Sequence, residues 1–291
     1  MLHTRTTLLV ASVVIAGCRS TPVSGPVLQP IAATPSDDTR AKSIGPWILR
    51  PNHQPHTYHS ISQTTVDEPS NSTIRQNTIE IVTTFTISLN QSHTPLTISG
   101  QVDTVTFSEQ KQPLPKNQEF SLPLVFEGEL AHTGLAISVK NSQGTAGTCS
   151  PSVSSILGDV HTVINTYPSR LTPSLTWRDS TLVTTCTPDR VPTTRRTIQI
   201  FRVVGESALK TTRVLLIQRL DSTYISGDGT QDNHQIHLEG AGTGTGNIYI
   251  DPDSGVILAT QVSEDLEITV TNSGKSRHFI QKVTQTVKAT N

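Results

Sequence analysis

The sequence predicts a mainly β fold: one curved antiparallel sheet, half-barrel or barrel-like, with one helix packed on it. A β-sandwich is the alternative. Three observations predict it. Threonine makes up about 15% of the 291 residues, far above its usual share, and a β-branched side chain fits a pleated, half-buried surface. Period-two alternation recurs along the chain. Only one segment carries a helical period.

The cleanest strand is "NTIEIVTTFTISLN". Ile79, Ile81, Thr83, Phe85, Ile87 and Leu89 fall on one face, and Glu80, Val82, Thr84, Thr86 and Ser88 on the other, as in a strand with one covered side. "FSLPLVF" repeats the pattern through Phe120, Leu122, Leu124 and Phe126, with Pro123 marking an edge or bulge. "LTISGQVDTVTF" changes phase between Leu96/Ile98 and Val105/Phe107, so Gly100 reads as a bulge that turns the strand over. "GLAISVK", "TIQIFRVV", "TRVLLIQRL", "GVILATQV", "LEITVT" and "FIQKVTQTVK" continue the strands. "SGDGTQDN" (226–233) and "DPDSG" (251–255) read as turns between them.

The exception is "CSPSVSSILGDVHTVINTYP". Val153, Ile156, Leu157, Val160, Val163 and Ile164 recur at steps of three and four, the stripe of an amphipathic helix. Ser150 serves as N-cap, Pro151 as first helical residue and Tyr167-Pro168 as the stop. The spacing predicts a helix over 151–165, with its apolar stripe on the sheet.

"GAGTGTG" looks like a nucleotide loop, but the dinucleotide fingerprint needs glycines at positions one, three and six, between a strand and a helix. Counting from Gly240 or Gly242, the sixth residue is Thr245 or Asn247, and strand follows. Nucleotide binding is excluded. Gly240, Gly242, Gly244 and Gly246 instead place a side-chain-free stripe on one face of a strand, where the chain bends hard or helix 151–165 packs closely. The net charge of -1 provides no field for nucleic acid.

Other candidate chemistry is thin. His53, His56 and His59 are three apart, but Pro51 and Pro55 forbid a helix, so His56 points away from the other two. His234 and His237 face opposite sides of a strand. "DPDSG" lacks the later ligands of a calcium loop. Ser108 to Lys111 matches Ser-x-x-Lys without its companion motifs. Trp177 reads as a core plug near Cys186. No catalytic residue, cofactor or metal site is implied, and the chain is read as a non-enzyme.

The N-terminus supplies the address. Arg5 precedes an apolar run, Leu8 to Ala16, too short to span a ~30 Å hydrocarbon core and suited to a signal peptide. The run ends in Ile15-Ala16-Gly17-Cys18, which resembles the lipobox of bacterial lipoproteins. That resemblance implies acylation of Cys18 and removal of residues 1–17. Arg19, in place of Asp, favours outer-membrane sorting by the same resemblance. Residues 18–46 then form a Pro/Ser/Thr-rich tether of ~30 Å reach, and 47–291 a single all-β domain. With Cys18 acylated, Cys149 and Cys186 remain, and an exported even pair predicts a disulfide.

Strands around a lone helix in an exported lipoprotein resemble, in layout, the half-barrels of the LolA/LolB and LppX type, which carry lipid or acyl chains. The implied function is a membrane-anchored envelope lipoprotein that binds an apolar ligand against inward positions such as Phe85 and Ile87, or assists envelope assembly. The alternative is a structural or protein-interaction module on the cell surface. The partners expected are the membrane, through the lipid anchor, and an apolar ligand or envelope protein.

Overall fold

The computed structural model describes residues 45–49, 54–69, 74–90, 96–113, 121–131, 134–139, 151–164, 167–168, 170–185, 191–231 and 233–290. The elements run β1 (Trp47–Ile48), β2 (His56–Pro69), β3 (Ile74–Asn90), β4 (Leu96–Glu109), β5 (Gln112–Pro113), β6 (Leu124–Ala131), β7 (Gly134–Val139), α1 (Pro151–Thr162), β8 (Arg170–Leu171), β9 (Thr176–Thr185), β10 (Thr193–Leu209), β11 (Thr212–Gln231), β12 (His234–Ile250), β13 (Ile257–Asn272) and β14 (Lys275–Ala289).

All the long strands belong to one antiparallel sheet, in the order β7-β6-β4-β3-β2-β14-β13-β12-β11-β10-β9. The sandwich alternative is thereby set aside. The sheet is two meanders zipped together where β2 pairs with β14. The connection bearing α1 carries the chain from edge strand β7 to the opposite edge, β9. Residues 140–175 thus join opposite edges of a curled sheet. The two edges do approach, to within 8 Å between Cα atoms, yet they do not pair, so the curl is not a closed barrel.

The curl has identifiable causes. Three register shifts insert an extra residue: at Asp103 in β4, at Val204 in β10 and at Leu258 in β13. Each bends its strand and resets the phase of the side chains beyond it. The phase change in "LTISGQVDTVTF" is therefore real, but it occurs at Asp103 and not at Gly100. Gly100 has another duty: a Cβ there would meet the Phe126 ring at 2.5 Å. The turns at Gln110-Lys111 and Ser273-Gly274 have positive φ at both residues (49° and 66°; 48° and 80°), the geometry that matches strand twist in two-residue hairpins. The 251–255 turn is as expected, with Asp251 accepting from Asp253 N (3.0 Å) and Ser254 Oγ (2.6 Å).

The turn expected at 226–233 is mostly strand. β11 runs on to Gln231, and its glycines answer a steric demand: a Cβ on Gly227 would meet Thr193 Cγ2 at 2.6 Å.

Helix α1 lies on the concave side of the sheet. Val153, Ile156, Leu157, Val160, Val163 and Ile164 are all buried, against Phe85, Ile87, Ile98, Val102, Leu124, Phe126, Ile217, Ile248, Ile250 and Val287. The last turn tightens through Val163 N to Val160 O (3.2 Å) and Ile164 N to His161 O (3.3 Å), as helix ends do. Trp47, Tyr58 and Phe201 complete this core. Trp177 plugs its rim as expected, stacked on Phe201 at 5.1 Å. A smaller second core, Ile225, Leu266, Ile268 and Phe279, forms farther along the same inner face.

Candidate functional site

The ladder registers sort the inward side chains into rows across the sheet. One row reads Phe107, Ile81, Ser62, Gln285, Val262, Gly246, Arg219, Phe201 and Trp177. The next reads Ile79, Thr64, Val283, Glu264, Gly244, Asp221 and Gln199. Both lie between the two cores. The β10–β13 side of these rows is polar and the β2–β4 side mostly apolar.

The polar side is a closed network. Arg219 forks onto Asp221, Nε to Oδ1 and Nη2 to Oδ2, both at 2.7 Å, and the Gln199 amide, turned so that its oxygen faces the guanidinium, accepts from it at 2.8 Å. Arg195 pairs with Glu264, and Thr223 donates to the same carboxylate. Burial works against the charge on Arg219, but Asp221 and Glu264 more than offset it, so its pKa is raised. Two arginines face two carboxylates, each pair in hydrogen-bond contact, as buried charge requires.

The glycine stripe makes that network possible. Gly246, Gly244 and Gly242 stand opposite Arg219, Asp221 and Thr223 on β11, and opposite Val262, Glu264 and Leu266 on β13. A Cβ on Gly244 would lie 3.3 Å from both the Asp221 and the Glu264 Cβ atoms. With no side chain on β12, Thr223 of β11 reaches Glu264 of β13 directly. Across β12 the sheet folds sharply enough that β11 and β13 approach within 8 Å between Cα atoms, against about 9.5 Å for next-but-one strands in a flatter sheet. The stripe is a bend, as expected. It is not a seat for α1: the atoms crowding it belong to β11 and β13.

A second polar group joins helix to sheet. Asp159 is buried in the middle of the apolar stripe of α1. Gln285 of β14 donates to its Oδ1 at 2.5 Å and accepts from Thr162 at 2.8 Å. Its Oδ2 lacks a partner of ordinary geometry, as do the Ser60 and Thr83 hydroxyls that face the carboxyl. Burial pushes the Asp159 carboxyl up to about 6, while hydrogen bonding from Gln285, Thr83 and Ser60 draws it down. A helical period signals only the apolar members of a stripe, so this residue escaped notice in the sequence.

Among the described residues, the apolar side of the rows is incompletely covered. Ile79, Ile81, Val262 and Val283 point inward, in phase with the buried Phe85, Thr83, Glu264 and Val287. Yet they are only partly buried and belong to neither core. Phe85 and Ile87, expected to meet a ligand, are instead buried at 0% and 5% exposure in the core that holds α1. The helix occupies the part of the concave face that the sequence assigned to the ligand.

The described histidines do not converge. His53 lies outside the described residues. His56 faces inward with its pKa lowered by burial, while His59 faces outward, 3.4 Å from Thr84 Oγ1. His234 meets Ser273 and His237 meets Asp228. Among the described residues, no group of three or more His, Cys, Asp or Glu side chains could hold a metal. Ser108 lies near the end of β4 and Lys111 within the β4–β5 turn. Ile15, Ala16, Gly17, Cys18, Cys149 and Cys186 lie outside the described residues.

No family model and no curated protein matches the chain. Among solved structures, Pseudomonas aeruginosa OccK2 (OpdF) aligns at TM-score 0.25 and 6% identity, covering 85% of this chain and 100% of that one. The outer membrane protein opdK of the same organism aligns at TM-score 0.14 and 7% identity, over 81% and 98%. Scores of this size establish no common fold.

Proposed function

We propose that the chain is an envelope lipoprotein, anchored through Cys18, whose curled sheet holds an apolar ligand of the acyl-chain class. One observation carries the ligand: inward-facing Ile79, Ile81, Val262 and Val283 stay only partly buried beside the core that holds α1. Apolar side chains kept partly wet on a concave face gain about 25 cal/mol for each Å² that a ligand covers. The neighbouring ion pairs are already satisfied, so they bound the site without demanding a charged ligand. The anchor rests on Ile15-Ala16-Gly17-Cys18 behind its apolar run; two or more acyl chains hold a protein stably at a bilayer.

The test is titration of the delipidated protein with a fluorescent hexadecanoate analogue, with native mass spectrometry of the adduct. Binding is expected, with a loss of at least tenfold in Ile81→Asp and no change in the outward-facing Glu80→Ala. Absence of any acyl adduct, or equal binding by Ile81→Asp, refutes the ligand. For the anchor, radiolabelled palmitate should enter the wild type and not Cys18→Ala; labelling of both refutes acylation at this residue.

A further inference from the structure

We infer that the outer face of β9–β11 is a docking surface for an anionic lipid bilayer. The registers give this face as a grid. Arg178, Ile200, Leu220 and Thr245 form one row across β9 to β12; Ser180, Ile198, Ser222 and Thr243 the next; Leu182, Arg196, Tyr224 and Ala241 the third. Arg202 adjoins the first row beside Thr176.

Outward positions of a covered sheet are normally polar, and most of this sheet obeys. Here Leu182, Ile200, Leu220 and Tyr224 are 37–42% exposed. Exposed arginines are interleaved with them: Arg178, Arg196 and Arg202. None of the three pairs with a carboxylate among the described residues, although the chain as a whole carries a charge of only -1. Within these rows the outward acids, Asp265 and Glu267, are on β13, beyond β12; past the third row, Glu239 of β12 and Asp228 of β11 both face His237. Aliphatic groups and a tyrosine among unpaired cations fit the boundary between acyl chains and anionic headgroups.

The chain's own entry point agrees. The segment that begins at Cys18 joins the domain at Trp47, whose indole donates to Glu206 of β10 at 2.9 Å. Glu206 is six residues along the strand from Ile200, about 20 Å, within the ~30 Å reach of the tether. This placement rests on the anchor proposed above; the grid of side chains does not.

The test uses the full chain with Leu220→Trp, bound to vesicles of phosphatidylcholine alone or with 30% phosphatidylglycerol, each containing brominated lipid. Quenching above the background of the native tryptophans is expected in the anionic vesicles only, declining with salt. Arg178→Gln/Arg196→Gln/Arg202→Gln should weaken it about 100-fold, at roughly fivefold per cation near an anionic leaflet. A folded triple variant is verified by circular dichroism, and the salt dependence of the wild-type chain tests the same point without it. Equal quenching in both lipids, indifference to salt, or no quenching while the chain sediments with the vesicles overturns the proposal. So does a lipid-free dimer abolished by Leu220→Asp, which would place a second copy on this face. Failure of palmitate labelling at Cys18 would remove the anchor and leave this experiment interpretable.

Discussion

Asp159 shows what a single residue adds to an otherwise apolar interface. It sits in the helix stripe where a leucine would bury more surface, and it ties α1 to β14 through Gln285. Its carboxyl is raised from 3.8 to about 6 by burial. The folded state therefore holds a proton that the unfolded chain releases. Stability is highest below about pH 4 from this group, falls between pH 4 and 6, and levels above. The shift corresponds to about 3 kcal/mol. In Asp159→Asn the amide cannot ionise, so this pH-dependent loss should be absent from the variant and should appear as the difference between the two stability curves. Urea melts from pH 4 to 7 measure it, and parallel curves for both proteins would show that Asp159 is not the source.

At the scale of elements, α1 was legible and the bend was not fully so. Six apolar positions of the helix were read from spacing alone and all six are buried, because a helix in the interior must turn one stripe to the core. Gly158 is the weak point, with nothing within 4 Å of a Cβ placed there. Gly158→Ala should stabilise the fold by about 0.5–1 kcal/mol, read as a higher urea midpoint at unchanged slope. The glycines of β12 oppose this. At Gly242 a Cβ would meet the Leu266 backbone Cα at 2.8 Å and Cδ2 at 2.5 Å, whereas at Gly244 the closest atom is 3.0 Å away. Gly242→Ala should cost about 2–3 kcal/mol and Gly244→Ala distinctly less. Equal midpoints for the two variants would mean that the bend does not depend on the stripe. Gly227 and Gly229 carry the same lesson. A glycine in sequence reads as a turn or as a close approach, and only the neighbouring strand decides which.

For the whole molecule, the link between the two edges of the curl matters most. The chain passes from β7 to β9 through α1; in sequence Cys149 precedes α1 and Cys186 follows β9. A disulfide between them would close a loop of about 38 residues, worth roughly 4 kcal/mol in the chain-entropy model. Non-reducing peptide mapping should find the two joined, and reduction should lower stability by that order. Free thiols at both positions would dismiss the link. The proposed ligand site belongs to this scale too. Ile79 and Ile81 were assigned to the same face as Phe85 and Ile87 correctly, but which part of the face stays open depends on where a helix distant in sequence comes to rest.

The sequence by itself determined the strand class, the helix and its buried stripe, the inward and outward faces, and the exclusion of a nucleotide loop. Each of these follows from local steric preference and side-chain period, which a chain carries wherever it folds. Strand order, the zipping of β2 to β14, the position of α1 on the concave face and the charged network across β12 were decided by tertiary structure. They depend on contacts between residues far apart in the chain. No periodicity records which strand becomes the neighbour of which, or which polar side chains will face each other when the sheet closes around them.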